Sequence, residues 1–95
     1  MKIEIGLKER VRYIQSQILP QIFYEFMRGA WTRQESLESV EEWYRRARGL
    51  ISQYDLDFGN RGYLIIELNE NYRYYKDRID EVNEKEIQYH QDIYY

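Results

Sequence analysis

The sequence predicts an all-α fold: a small three-helix bundle, or a broken four-helix one, with a long C-terminal helix. Three observations carry this reading. Apolar residues return every three and four positions through three separate stretches, the spacing that lines one face of a helix. A threonine followed three residues later by glutamate opens the second stretch. From Ile65 onward the repeat tightens into a heptad seam.

The first helix is expected over about 6–28. Leu7, Val11, Ile14 and Ile18 form its stripe, with Ile3 in phase ahead of Gly6. Pro20 lacks the amide that would bond Ser16, and its ring crowds that carbonyl, so a kink is expected near it. Beyond it Leu19, Ile22, Phe23, Phe26 and Met27 continue the stripe, turned slightly round the axis. Gly29 suits the left-handed residue that follows a helix end. Residues 2–5 also alternate like a strand, and the one candidate to pair with them is 63–68. A small α+β domain with a terminal two-stranded sheet is therefore the competing fold.

The second helix is expected over about 33–54. Thr32 and Glu35 form a capping box, each satisfying an amide of the other. Leu37, Val40, Tyr44, Ala47, Ile51 and Tyr54 make its buried stripe, widened by Trp43 and Leu50. Glu41 with Arg45 and Glu42 with Arg46 stand four apart in the favoured order on the outer face. The stretch DLDFGNRG, residues 55–62, has loop chemistry, with Leu56 and Phe58 tucked inward and Asn60 available as a cap.

The third helix is expected over about 63–93. Ile65, Leu68, Tyr72, Tyr75, Ile79 and Val82 make its seam, which falters at Glu86 and resumes at Tyr89 and Ile93. Lys76 with Asp80 and Glu81 with Lys85 add paired charges. At about 46 Å this helix would outrun the second, at about 33 Å, and its end would need another covering surface.

A chain of 95 residues fits one helical domain, 1–95, able to bury a modest core without staples. Cysteine is absent, which excludes disulfides, thiolate metal sites and thiol nucleophiles. The N-terminal residues lack the apolar run of a secretory signal, and no stretch approaches the roughly 18 apolar residues of a membrane span, so a cytoplasmic protein is expected. The net charge of −3 argues against a general nucleic-acid coat. Eleven tyrosines, and more arginine than lysine, tilt the chain toward binding, because both residue types are favoured at interfaces.

No constellation of residues carries catalysis. His90 is the single histidine; Glu86 one turn earlier and Asp92 nearby do not complete a metal site, which needs further inward ligands. No catalytic residue, metal or cofactor is expected. The expected function is that of a non-enzymatic module that docks on or inhibits a larger macromolecular partner, as a homodimer through the third helix. The expected contact residues are Ile87, Tyr89, Ile93, Tyr94 and Tyr95, too apolar for a free helix end. The alternative is a nucleic-acid-binding regulator in which Arg45, Arg46 and Arg48, joined by Arg28 and Arg33, hold phosphates beside Trp43 and Tyr44.

Overall fold

Three amphipathic stripes fold into helices packed face to face. The computed structural model describes residues 2–53, 58–83 and 87. In order, these form α1 (Lys2–Tyr13), a π-helical turn (Ile14–Ile18), α2 (Leu19–Met27), α3 (Arg33–Gln53) and α4 (Phe58–Glu81). Among the described residues no strand occurs. The competing two-stranded sheet is corrected on this point: residues 2–5 lie in α1 and 63–68 in α4. A two-stranded pair would have left its faces bare, whereas helices let Leu7, Val11, Leu64 and Leu68 reach one common core.

The break at Pro20 takes a particular form. The backbone widens by one residue just before it, and the Leu19 amide donates to the Ile14 carbonyl five residues back. A new α-helix then starts at Leu19, which puts Pro20 in its first turn. The wide turn ahead of it gives the proline ring room that a regular α-helix would deny it, while the helical path continues. One rod of helical backbone thus runs from Lys2 to Met27, starting before the expected Gly6.

The rod ends in a Schellman motif. Ala30 N–H donates to Glu25 O and Gly29 N–H to Phe26 O, both at 3.0 Å. Gly29 takes φ 81, the left-handed value that the motif demands of its closing residue. Thr32 then caps α3: Glu35 N–H donates to Thr32 Oγ1 at 3.0 Å, and Thr32 N–H donates to Glu35 Oε1 at 2.9 Å. The bond from the Thr32 amide, and second the contact with its hydroxyl, hold the Glu35 carboxyl below the ordinary glutamate value.

The core is built from the expected stripes. Leu7, Val11, Ile14, Leu19, Ile22 and Phe26 of the first rod meet Val40, Ala47 and Ile51 of α3 and Leu64, Leu68 and Ile79 of α4, all buried. Leu64 was absent from the expected seam, and its burial, with Ile65 only half-buried, shows that the buried face of α4 is turned by one residue at that point. α4 correspondingly begins at Phe58, so the expected loop is shorter than 55–62 and Asn60 does not stand ahead of the helix. Gly62 lies within the helix, and a Cβ built on it meets nothing within 4 Å, so no close contact calls for glycine there. Burial of Leu64 and Leu68 outweighs the roughly 1 kcal/mol that an interior glycine costs.

The far end of α4 is the larger correction. The expected helix ran unbroken to about residue 93, but α4 ends at Glu81 and neither Val82 nor Asn83 is helical. The cause lies at the other end of α3. The Arg33 Nη2 donates to the Val82 carbonyl, giving that oxygen a side-chain partner in place of a following backbone amide. The same guanidinium lies over the Phe26 ring, 5.9 Å from its centroid. Arg33 therefore joins the end of α2, the start of α3 and the end of α4. With 24 residues against 21, α4 is about 36 Å long beside about 32 Å for α3, and the rest of the expected overhang, at 84–86 and 88–95, lies outside the described residues.

Candidate functional site

The residues expected to bind a partner divide at the limit of the described chain. Ile87 is half-buried and packs against the bundle core. Tyr89, Ile93, Tyr94 and Tyr95 lie outside the described residues, as do Glu86, His90 and Asp92. Among the described residues no group of three or more His, Cys, Asp or Glu side chains could hold a metal ion, and no helix is long and apolar enough to cross a membrane.

The five arginines of the nucleic-acid alternative each have a partner within the chain. Arg28 pairs with Glu25 at 3.1 Å, Arg45 with Glu41 and Arg46 with Glu42, both at 2.8 Å. Arg33 is taken up at the junction just described. Arg48 Nη1 donates to the Tyr44 hydroxyl at 3.3 Å. The expected Lys76 and Asp80 pair does not form; the Lys76 ammonium lies over the Tyr72 ring at 6.0 Å.

The seam tyrosines serve packing. Tyr44 and Tyr72 stack with centroids 4.1 Å apart, and the Tyr44 hydroxyl donates to Asn69 Oδ1 at 2.5 Å, locking α3 to α4. Tyr75 meets Phe23 at 6.4 Å and Tyr74 edge-on at 4.9 Å. Burial, and then the neighbouring Tyr74 phenol, push the Tyr75 hydroxyl above the usual tyrosine value. Tyr24 and Tyr74, expected to fall off the core pattern, are exposed.

An apolar groove lies on the opposite flank, where α1 and the π-helical turn run beside α3. Its volume is about 590 Å³, and Gly6, Tyr13, Ile14, Ile18, Trp43 and Leu50 line it, with Glu9 and Arg10 at the rim. Gly6 leaves the space open, since a Cβ there would meet nothing within 4 Å. Trp43, Ile18 and Leu50 are only half-buried although they pack against the core, and Tyr13 is 59% exposed. The Arg46 guanidinium lies over the indole of Trp43, 4.6 Å from its centroid, while its Nη2 holds Glu42. A broad apolar floor ringed by aromatics and charges of both signs can receive an apolar stripe of similar length.

The sequence places Trp43 and Leu50 on a widened core face and Gly6 at a helix start, and does not mark Gly6 or Tyr13 as lining a groove. The signal was present in the first rod, where 6, 10, 13, 14 and 17 share one side of a helical wheel. What that side faces depends on where α3 packs. No family model, curated protein or solved structure matches the chain.

Proposed function

We propose that this chain is a non-enzymatic protein-binding module whose groove between α1 and α3 receives an amphipathic helix of a partner protein. The observation that carries the reading is the half-buried Trp43, set with Tyr13, Ile18 and Leu50 around an apolar groove of about 590 Å³. Trp, Tyr and Arg are the residue types that dominate binding energy at protein interfaces. Here Trp43 and Tyr13 supply the anchors, and Arg10 and Arg46 the polar rim. A partner helix satisfies its own backbone, so it can fill an apolar groove that offers few hydrogen bonds. The rim carries Glu9 and Arg10 on one side and the Glu42–Arg46 pair on the other, which suits a helix whose apolar stripe is flanked by both signs of charge.

The nucleic-acid alternative has weaker support, because a phosphate would have to displace Glu41 or Glu42 from the arginines they hold at 2.8 Å. Homodimerisation becomes one case of the same proposal, in which the partner helix comes from a second copy.

The test is comparative capture from lysate of the source cell, using the wild-type chain, Leu50→Lys and Tyr13→Ala, with circular dichroism to show that each variant melts as the wild type does. Tyr13 is exposed, so its loss leaves the core intact. Proteins enriched by the wild type and lost with both variants support the groove. Equal recovery by all three chains refutes it.

A further inference from the structure

We propose that the open pocket on the α3–α4 edge binds a small hydroxylated phosphate monoester. The site originates in the tyrosine stack that joins these helices. The Tyr44 hydroxyl donates to Asn69 Oδ1 at 2.5 Å and accepts from Arg48 Nη1 at 3.3 Å. The first bond engages the oxygen of the Asn69 carboxamide and leaves its two N–H donors over. Asn69 is half-buried, and among the described residues nothing accepts from its Nδ2, which keeps contact with solvent. A donor held in place by its own neighbours loses little freedom when a ligand arrives.

Two cations continue the same edge of α4. Arg73 and Lys76 stand four and seven residues beyond Asn69, on one side of the helix, and both are exposed. Among the described residues Arg73 makes no hydrogen bond or ion pair, and Lys76 only lies over the Tyr72 ring at 6.0 Å. Arg45 and Arg46 of α3 differ, being held by Glu41 and Glu42 at 2.8 Å.

Three reachable donors thus share one space. It measures about 370 Å³, at the small end of ligand pockets, and Tyr44, Tyr72 and Asp77 complete its lining. A terminal phosphate presents three acceptor oxygens, which match Asn69 Nδ2, the Arg73 guanidinium and the Lys76 ammonium. Each of these bonds is charge-assisted, the stronger kind. Arg48, behind the Tyr44 hydroxyl, adds a third cation and favours a dianion. Asp77 is the one carboxylate of the lining, and it accepts from a hydroxyl on the carbon chain of the same ligand. Glu70, Asp77 and Asp80 interrupt the basic edge along α4, so the site takes one isolated phosphate and not the continuous backbone of a polynucleotide. This pocket lies on the α4 side of α3, away from the α1–α3 groove, and the two readings stand or fall separately.

Titration of the ¹⁵N-labelled full chain with glycerol 3-phosphate tests the proposal, read at the side-chain amide resonances of Asn69. Sodium chloride holds the ionic strength fixed, and at about pH 8 the monoester is a dianion. The expected result is a saturable shift at millimolar concentration, and an affinity lowered at least about tenfold when Arg73→Gln and Lys76→Gln are combined. Both side chains are exposed, so the double variant keeps the fold, as its circular dichroism should show. Ethyl phosphate, which lacks the hydroxyl, should bind more weakly. Absence of saturable binding by glycerol 3-phosphate, an unchanged affinity in the double variant, or equal binding of ethyl phosphate would overturn the assignment.

Discussion

Replacing Arg33 by methionine keeps most of the aliphatic stem and removes the guanidinium that joins three helix ends. The magnitude follows from its contacts. The charge-assisted bond to the Val82 carbonyl is worth about 1.5–3 kcal/mol. The position over Phe26, at 5.9 Å, lies near the outer limit of a cation–π contact and adds about 0.5 kcal/mol. Against these stands Arg33 Nε, buried without a partner, whose removal returns about 1 kcal/mol. The net loss is about 1–2.5 kcal/mol, a sizeable share of the roughly 5–14 kcal/mol expected for a domain of this length. Thermal unfolding followed by circular dichroism should show the midpoint falling by about 10 °C. Amide exchange at Val82 and Asn83 should also quicken more than at the middle of α3. A midpoint within about 2 °C of the wild type would refute the role assigned to Arg33.

Two glycines should respond in opposite directions: Gly49→Ala, in open space inside α3, should raise stability by about 0.5–1 kcal/mol, and Gly29→Ala, at φ 81, should lower it by about 1 kcal/mol, both read from urea midpoints. Thr32→Ala should cost about 1 kcal/mol in urea and, because the backbone amide that bonds Glu35 remains, move the Glu35 carboxyl only part of the way back toward the ordinary glutamate value by NMR. In the wild type, the stability contributed by Glu35 is fully present above the unfolded glutamate value near about pH 4.3, and is lost as pH falls through the lower folded value. No salt-dependent binding to single- or double-stranded nucleic acid is expected at low ionic strength; a steep dependence abolished by the triple change of Arg45, Arg46 and Arg48 to Gln would reverse the functional reading.

Local signals in the sequence were the most legible. The capping box at Thr32 and Glu35, the glycine after α2, and the Glu41–Arg45 and Glu42–Arg46 pairs each depend on residues within one turn. The apolar stripes of the first rod and α3 were equally readable, because period alone assigns their faces. Features that join distant positions were hidden. Arg33 reads in sequence as a free cation, and its acceptor lies 49 residues away. Gln15 reads as a polar residue beside a stripe, and its partner Asn71 is 56 residues away. Gly59 and Gly62 suggested a loop by local preference, and packing overrode them. The candidate groove was half legible: Trp43 and Leu50 could be placed on α3, but the side left uncovered depends on how the first rod leans against it.

Hydrogen–deuterium exchange on the wild-type chain, free and with a captured partner, tests the central claim most directly. The α1–α3 groove predicts that binding slows exchange in residues 6–18 and 43–50 while the amides of α4 remain as they are in the free chain. Protection confined to α4 or to residues 87–95, with 6–18 and 43–50 unchanged, would contradict it.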